Sequence, residues 1–286
     1  MTPQEIVAEA FIAACRDELE ALKPGNVHVF APGHRMTTAQ FIKSAAAAAG
    51  PLCEPSTRVG ARIRGAVEAT LQAVGTNTNL GIILLCAPLA AAAELEALEL
   101  CAALIRVLDD LDIGDAGHAF AAIAQASPAG LGRAERHDVF APAQVSLKQA
   151  MAEAVDRDRI ARQYATAFGD IFDIGMALHA SAGARWSNPK WATLAVYLGF
   201  LSEFPDSHVI RNHGVGVASE VRGTAMKFRA LLWSTPEPVS LLGDLLAWDA
   251  ALKARGINPG TSADLTVATL FGRRLQSVLP SGRNSG

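Results

Sequence analysis

Three observations predict an all-α fold, a single compact multi-helix domain over residues 1–286. Apolar residues recur at helical spacing through most of the chain. Alternating runs of Val, Ile, Thr and Tyr, the mark of half-buried strands, are nearly absent. Hydrophobic residues make up 50% of the sequence but aromatic ones only 6%, a composition suited to helices packed closely through alanine.

The elements follow in order. Pro3 to Leu22 places Ile6, Ala10, Phe11, Ala14 and Leu19 near a 3.6-residue period, with Thr2 as cap and Pro3 at the first helical position. Pro24-Gly25 stops it. Thr37 or Thr38 caps a second helix through Ala49. Arg58 to Ala73 forms a third, Leu80 to Leu85 opens a fourth, and Leu95 to Leu108 forms a fifth. Later helices run over Arg157 to Ala182, Pro189 to Phe204, Val215 to Leu232, Ser240 to Arg255 and Ser262 to Leu279. No repeat of fixed period appears, which disfavours a solenoid.

Composition excludes several classes. Lys plus Arg number 25 against 28 Asp plus Glu, a net charge of -3, so no basic face for nucleic acid is expected. The greasiest run, Leu80 to Ala93, contains Pro88 and is shorter than the roughly 20 residues of a membrane span; it reads as a buried helix. Met1 to Glu5 is polar without a basic region, so no secretory leader is expected. A cytoplasmic protein follows. The four cysteines, Cys15, Cys53, Cys86 and Cys101, form no C-x-x-C pair and read as small core residues.

Polar residues concentrate in five turns: Leu22 to Arg35, Gly75 to Gly81, Ser127 to Asp138, Asp206 to Gly214 and Asn258 to Asp264. Helix junctions are where helical folds place their sites, because helix N-termini supply unpaired N–H groups to anions. The expectation is that these loops converge on one nucleotide or phosphate site. In "LKPGNVHVFAPGHR", Lys23 and Arg35 flank Pro-Gly turns that allow close backbone approach, and both are natural phosphate partners. "GTNTNLG" sets Thr76, Asn77, Thr78 and Asn79 ahead of a helix that Thr76 or Thr78 can cap. "PDSHVIRNHG" holds Asp206, His208, Arg211 and His213, better suited to Mg²⁺ on a substrate phosphate than to zinc. His137-Asp138 leaves open a helical metal-dependent phosphohydrolase. No standard phosphate loop is present.

Taken together, "KPGNVHVFAPGHRMTTAQFIKSA", "GTNTNLGIILL", "PDSHVIRNHG" and "NPGTSADLTVATLF" resemble segments of the triphosphoribosyl-dephospho-CoA synthase family, in order and approximate spacing. That family's text runs K-P-G-x-V-D with F-x-x-S-A, then G-x-N-T-H-K-G, G-D-T-N-V and S-P-G-G-S-A-D-L-L. The resemblance spans roughly residues 20 to 275. It implies an all-α transferase acting on ATP: ribose C1 passes to the 2′-hydroxyl of 3′-dephospho-CoA and adenine leaves.

This chain departs from the family's text in three places. Asn79-Leu80 replaces His-Lys, His28 replaces an aspartate, and Pro205-Asp206-Ser207-His208-Val209 replaces G-D-T-N-V. The resemblance implies Mg²⁺ as cofactor and ATP or a related phosphate donor. Asp206 and Asp264 take metal and sugar-facing roles, and His208 or His34 acts as acid or base. Lys23, Arg35 and Arg211 become phosphate clamps; Thr76, Asn77, Thr78 and Asn79 position the ligand, with Gly25, Asn26, His28 and Ser262 completing the nucleotide contacts. Partners are then a nucleotide or phosphorylated substrate and a cofactor-type acceptor, with a homodimer as a further expectation. Rival readings are a transferase of tetrahydromethanopterin or methanofuran biosynthesis, the phosphohydrolase, and a non-catalytic binding subunit.

Overall fold

A computed structural model of the chain describes residues 1–31, 36–95, 98–127, 132–133 and 136–278. Among the described residues the secondary structure is helical, apart from single bridge positions at His28, Ala31 and Met36, of which His28 and Ala31 pair antiparallel. The all-α expectation holds. The helices are α1 (Pro3–Glu20), α2 (Thr38–Leu52), α3 (Val59–Val74), α4 (Leu80–Ala92), α5 (Leu100–Asp109), α6 (Ile113–Ala126), α7 (Leu147–Ala152), α8 (Arg159–Ala165), α9 (Met176–Arg185), α10 (Pro189–Glu203), α11 (Ser207–Ser234), α12 (Leu242–Ala254) and α13 (Gly260–Val278). No helix among them is long and apolar enough to cross a membrane.

The chain packs as two compact units. The first comprises Met1–Cys15, Gln40–Gly169 and Phe271–Gly286; the second comprises Arg16–Ala39 and Asp170–Leu270.

In the first unit α4 is the central core helix. Ile83, Leu85, Cys86, Ala87 and Leu89 are fully buried, as its apolar text requires. Tyr164 crosses to it, donating its hydroxyl to the Leu84 carbonyl at 2.6 Å. Helices α3 and α6 meet so closely that a Cβ at Gly60 would lie 2.5 Å from Asp115 Cα. Asp115 locks that contact, accepting from Gly60 N at 2.8 Å and from Arg58 Nε at 3.1 Å. Phe11 and Phe271 pack edge to face with centroids 5.8 Å apart.

The second unit is built on α10, whose Leu194, Ala195, Tyr197, Leu198 and Leu201 are fully buried. Trp186 and Trp233 close one side at 5.1 Å, and Phe228 stacks on Trp248 at 5.0 Å.

Several element expectations are corrected. The helix expected over 157–182 is broken: Ala167 and Phe168 take positive φ, and a π-helical turn spans Asp170–Gly175 before α9 begins. The π-turn fits its neighbours tightly, since a Cβ at Gly175 would meet Thr269 Oγ1. Helix α6, unexpected, carries an Asp112/Asp115 capping box. The "PDSHVIRNHG" stretch is helical from Ser207, because Asp206 caps it, and Gly214 at φ 84° separates this opening turn from the rest of α11. Helix α13 starts at Gly260, earlier than the expected Ser262, so Asp264 lies beyond its first turn.

Candidate functional site

Three of the motif segments meet in the second unit: the Lys23–His28 turn, the start of α11 and the start of α13. Gly25 makes the first junction possible. At φ +84° it occupies the left-handed region, and a Cβ there would lie 2.8 Å from Pro259 Cδ. The adjacent Asn26 donates from Nδ2 to Asn258 Oδ1 at 2.8 Å, and Tyr197 donates to the Pro24 carbonyl at 2.7 Å. The turn is therefore fixed at three successive residues.

Asp206 makes the second junction. Its Oδ1 accepts from His208 N at 2.9 Å and Val209 N at 3.1 Å, capping α11. Its Oδ2 accepts from both the backbone N and Oγ of Ser262 at 2.8 Å. Two helix N-termini, each a locus of partial positive charge, thus share one buried carboxylate. Thr261 Oγ1 lies 3.0 Å from Ser207 Oγ and accepts from His208 N at 3.2 Å. The His208 ring is held by its Nδ1, 2.7 Å from the Asn258 carbonyl oxygen. A carbonyl only accepts, so Nδ1 carries the proton and, in the neutral ring, Nε2 keeps a lone pair. Space for the ring depends on Gly260, where a Cβ would stand 3.1 Å from Nδ1.

Beside the turn lies a second cluster of buried charge. Lys23 is fully buried, with Nζ 2.9 Å from Glu18 Oε1 and 2.5 Å from the Val27 carbonyl. Burial pulls the Lys23 ammonium below its ordinary range and pushes the Glu18 carboxyl above its own, each opposed by the partner's charge. Asp249 Oδ1 accepts from Gly25 N at 2.8 Å and lies 3.3 Å from His28 Nε2. Lys253 Nζ reaches Asp249 Oδ2 at 2.9 Å, the Ala31 carbonyl at 3.1 Å and His28 Nε2 at 3.3 Å. Burial raises the Asp249 carboxyl, but the adjoining His28 ring and the hydrogen bonds from Lys253 and Gly25 outweigh it and hold the group below the usual carboxylate range. Burial also lowers the His28 imidazole, helped by the Lys253 and Lys23 charges and opposed by the Asp249 carboxylate.

The remaining expected residues lie as follows. Asp264 and Arg211 are half-buried. His34 and Arg35 lie outside the described residues. The Thr76–Asn79 turn belongs to the first unit. There Thr76 is exposed and Asn79 buried, and Thr78 Oγ1 donates to Ser44 Oγ at 2.6 Å. The N-cap position of α4 is Asn79, not either threonine, and the first helical amide, Leu80 N–H, donates to Asn77 Oδ1 at 3.1 Å. His137-Asp138 forms no metal centre: among the described residues no group of three or more His, Cys, Asp or Glu side chains could hold an ion. Asp138 instead accepts from Phe140 N.

Sequence reasoning missed Glu18, Asp249, Lys253, Asn258 and Thr261. Asp249 and Lys253 are four apart on α12, a spacing that reads as a solvated surface pair. Only their burial against the Lys23–His28 turn marks them.

The crystal structure of an Archaeoglobus fulgidus protein, assigned as a triphosphoribosyl-dephospho-CoA synthase, is similar with a TM-score of 0.64 and 25% identity, over 80% of this chain and 95% of that one. No curated protein matches the sequence. The family match runs over residues 4–282, nearly the whole chain, and on that match the protein belongs to the CitG family of ATP:dephospho-CoA triphosphoribosyl transferases.

Proposed function

We propose that the polar cluster of the second unit binds the nucleotide in the family's reaction, transfer of a triphosphoribosyl group from ATP to dephospho-CoA. One observation carries this reading. The Lys23–His28 turn, the α11 start and the α13 start, three motif segments whose Asn26–Asn258 contact spans 232 residues of sequence, are joined by direct hydrogen bonds into one polar site.

The chemistry sets the roles. The ribose C1′–N9 bond breaks with its electron pair leaving on adenine, and the acceptor hydroxyl oxygen forms the new bond to C1′. That hydroxyl's proton must leave, and adenine must gain one. His208, with Nδ1–H tied to the Asn258 carbonyl and a lone pair on Nε2, is built to take the hydroxyl proton. His34 is the second candidate for proton transfer. Arg35 and Arg211 are assigned to phosphate oxygens. Gly25, Asn26 and Ser262 shape the turn and the helix start against the ligand.

Asp206 does not fit a metal ligand. Each oxygen already accepts two protein donors, which uses the roughly four lone-pair directions of a carboxylate. We therefore assign Asp206 to clasping the two helix starts and give any metal contact to Asp264. Mg²⁺ held through phosphates needs only one or two carboxylates, and when bound it would neutralise the triphosphate. Lys23 is assigned to hold the turn through Glu18 and Val27. This reading keeps the enzyme in the cytoplasm, without nucleic acid as partner.

The test is direct. The protein is incubated with Mg-ATP and 3′-dephospho-CoA, and the products are read by mass spectrometry. Free adenine with a triphosphoribosyl mass gain on the acceptor supports the reading; ADP or AMP with an unchanged acceptor would replace it with hydrolysis.

A further inference from the structure

His28 presents a ring nitrogen that makes no hydrogen bond among the described residues. The imidazole is fully buried, and this nitrogen, Nδ1, has no partner there. Its other nitrogen has two neighbours, Lys253 Nζ and Asp249 Oδ1, each at 3.3 Å. These imply opposite tautomers, since Nε2 would accept from the ammonium or donate to the carboxylate.

The surroundings decide between them. An ammonium has three protons and no lone pair. Two of those of Lys253 go to Asp249 Oδ2 at 2.9 Å and the Ala31 carbonyl at 3.1 Å, and the third is directed to Nε2. A proton on Nε2 would oppose it head-on. Asp249 Oδ1 has a shorter donor in Gly25 N at 2.8 Å. A doubly protonated ring is disfavoured, because burial and the nearby Lys253 and Lys23 charges all oppose it. Nε2 is therefore bare and the proton sits on Nδ1.

We infer that His28 is a ligand-reading residue whose Nδ1–H donates to an acceptor atom of the bound nucleotide, either a ring nitrogen of the base or a phosphate oxygen, with Lys253 and Asp249 as positioning residues that fix the tautomer. The inference rests on the proposed nucleotide site. It also gives meaning to a departure in the sequence. The resembling family text has an aspartate here, an acceptor only when ionised, whereas His28 inverts the hydrogen-bond sense. Phe30 packs on the imidazole with centroids 5.8 Å apart and is itself half exposed.

The experiment uses the full-length protein labelled with ¹⁵N-histidine. Two-bond ¹H–¹⁵N spectra report the tautomer directly. The expected result is a protonated Nδ1 and a bare Nε2 for His28, and a shift of the Nδ1 resonance when ligand is added. Three probes separate the sources of the acceptor: ATP, adenosine and inorganic tripolyphosphate. A shift with adenosine assigns the acceptor to the base, and a shift with tripolyphosphate assigns it to phosphate. Lys253→Met should move the proton to Nε2, an effect that a merely structural lysine would not produce.

A pair of variants provides an independent readout. Asn places an amide nitrogen near the position of Nδ1, and Gln places one near Nε2. His28→Asn should bind ATP about tenfold more tightly than His28→Gln, the value of one hydrogen bond. A native Nε2–H tautomer, equal affinities of the two variants, or ATP binding that leaves His28 unshifted would each overturn this inference while sparing the proposed site. Failure to bind any of the three probes would overturn both.

Discussion

Asp206 and Ser262, 56 residues apart in sequence, are joined twice: one carboxylate oxygen accepts from both the backbone N–H and the hydroxyl of the serine at 2.8 Å. The other oxygen caps α11. One buried acid therefore sets the spacing between two helix starts, and that spacing places His208 against Asn258. Asp206→Asn keeps the shape but turns one acceptor into a donor facing protein N–H or O–H groups. Stability should fall by about 2–3 kcal/mol, as expected for losing hydrogen bonds to a charged group. Denaturant unfolding with an unchanged slope checks it. An Asn variant as stable as the native chain but inactive would show that Asp206 acts on the ligand instead.

Gly260→Ala tests whether His208 is held where the chemistry needs it. The new Cβ would sit 3.1 Å from His208 Nδ1 and 3.4 Å from its Cγ, so the ring must give by a few tenths of an ångström. Alanine favours the helix by about 1 kcal/mol, so the fold should survive. Turnover should fall about tenfold or more, since small misplacements of a reacting group are costly. A drop in kcat at unchanged KM is expected; an unaltered kcat would release His208 from the proposed role.

The buried Lys23–Glu18 pair is expected to behave as structure. Lys23→Met leaves Glu18 buried without its counter-charge, which should cost about 3–5 kcal/mol. Adding Glu18→Leu to the same chain should restore much of that loss, because the stranded charge is removed. Thermal unfolding of the two single variants and the double variant closes the cycle. A stable Lys23→Met protein that has lost ATP affinity would identify Lys23 as a phosphate clamp.

Acid should weaken the fold partly through His28. Burial lowers its pKa in the folded protein, with Lys253 and Lys23 adding to the shift and Asp249 opposing it. Below about pH 6.5 the unfolded chain binds a proton that the folded chain refuses, so stability falls with pH until the folded pKa is reached. Above about pH 6.5 this contribution is constant. The Tm advantage of the native chain over His28→Asn should therefore shrink between about pH 7.5 and pH 5.5. An advantage that grows with acid would mean a charged imidazole paired with Asp249.

Helix text was legible where an apolar stripe runs between clear stops, as in α1, α3, α10 and α12. It failed where backbone chemistry, not side-chain pattern, decides. Nothing in "ATAFGDIFDIG" signals that Ala167 and Phe168 take positive φ or that a π-turn follows. Ser207–His213 reads as a polar loop because its cap, Asp206, and its break, Gly214, lie so close together. The site was legible as segments but not as a network. Gly25 signals a turn, yet only its contact with Pro259 shows what the turn abuts. Asp249 and Lys253 look like a surface pair on α12 until His28 is packed beside them. Long-range partners of this kind leave no local pattern in a single sequence.

Asp264 stands in the same helix as Ser262 but beyond the first turn, where the dipole of α13 offers an acid little. It is half-buried, and the residues around it on the helix, Ala263, Leu265, Thr266 and Val267, are buried. A helix cap does not explain it, since the capping duty at this end falls to Asp206. The assignment to Mg²⁺ or ribose makes a separable prediction. Asp264→Asn is nearly isosteric, so Tm should change little, while turnover with Mg-ATP should fall by about two orders of magnitude, equivalent to about 2.7 kcal/mol in the barrier. If Asp264 holds the metal, the variant's apparent affinity for Mg²⁺ should fall along with kcat; if it faces the sugar, kcat alone should fall. A variant that unfolds would make Asp264 a structural acid, and a folded, fully active one would remove it from the site.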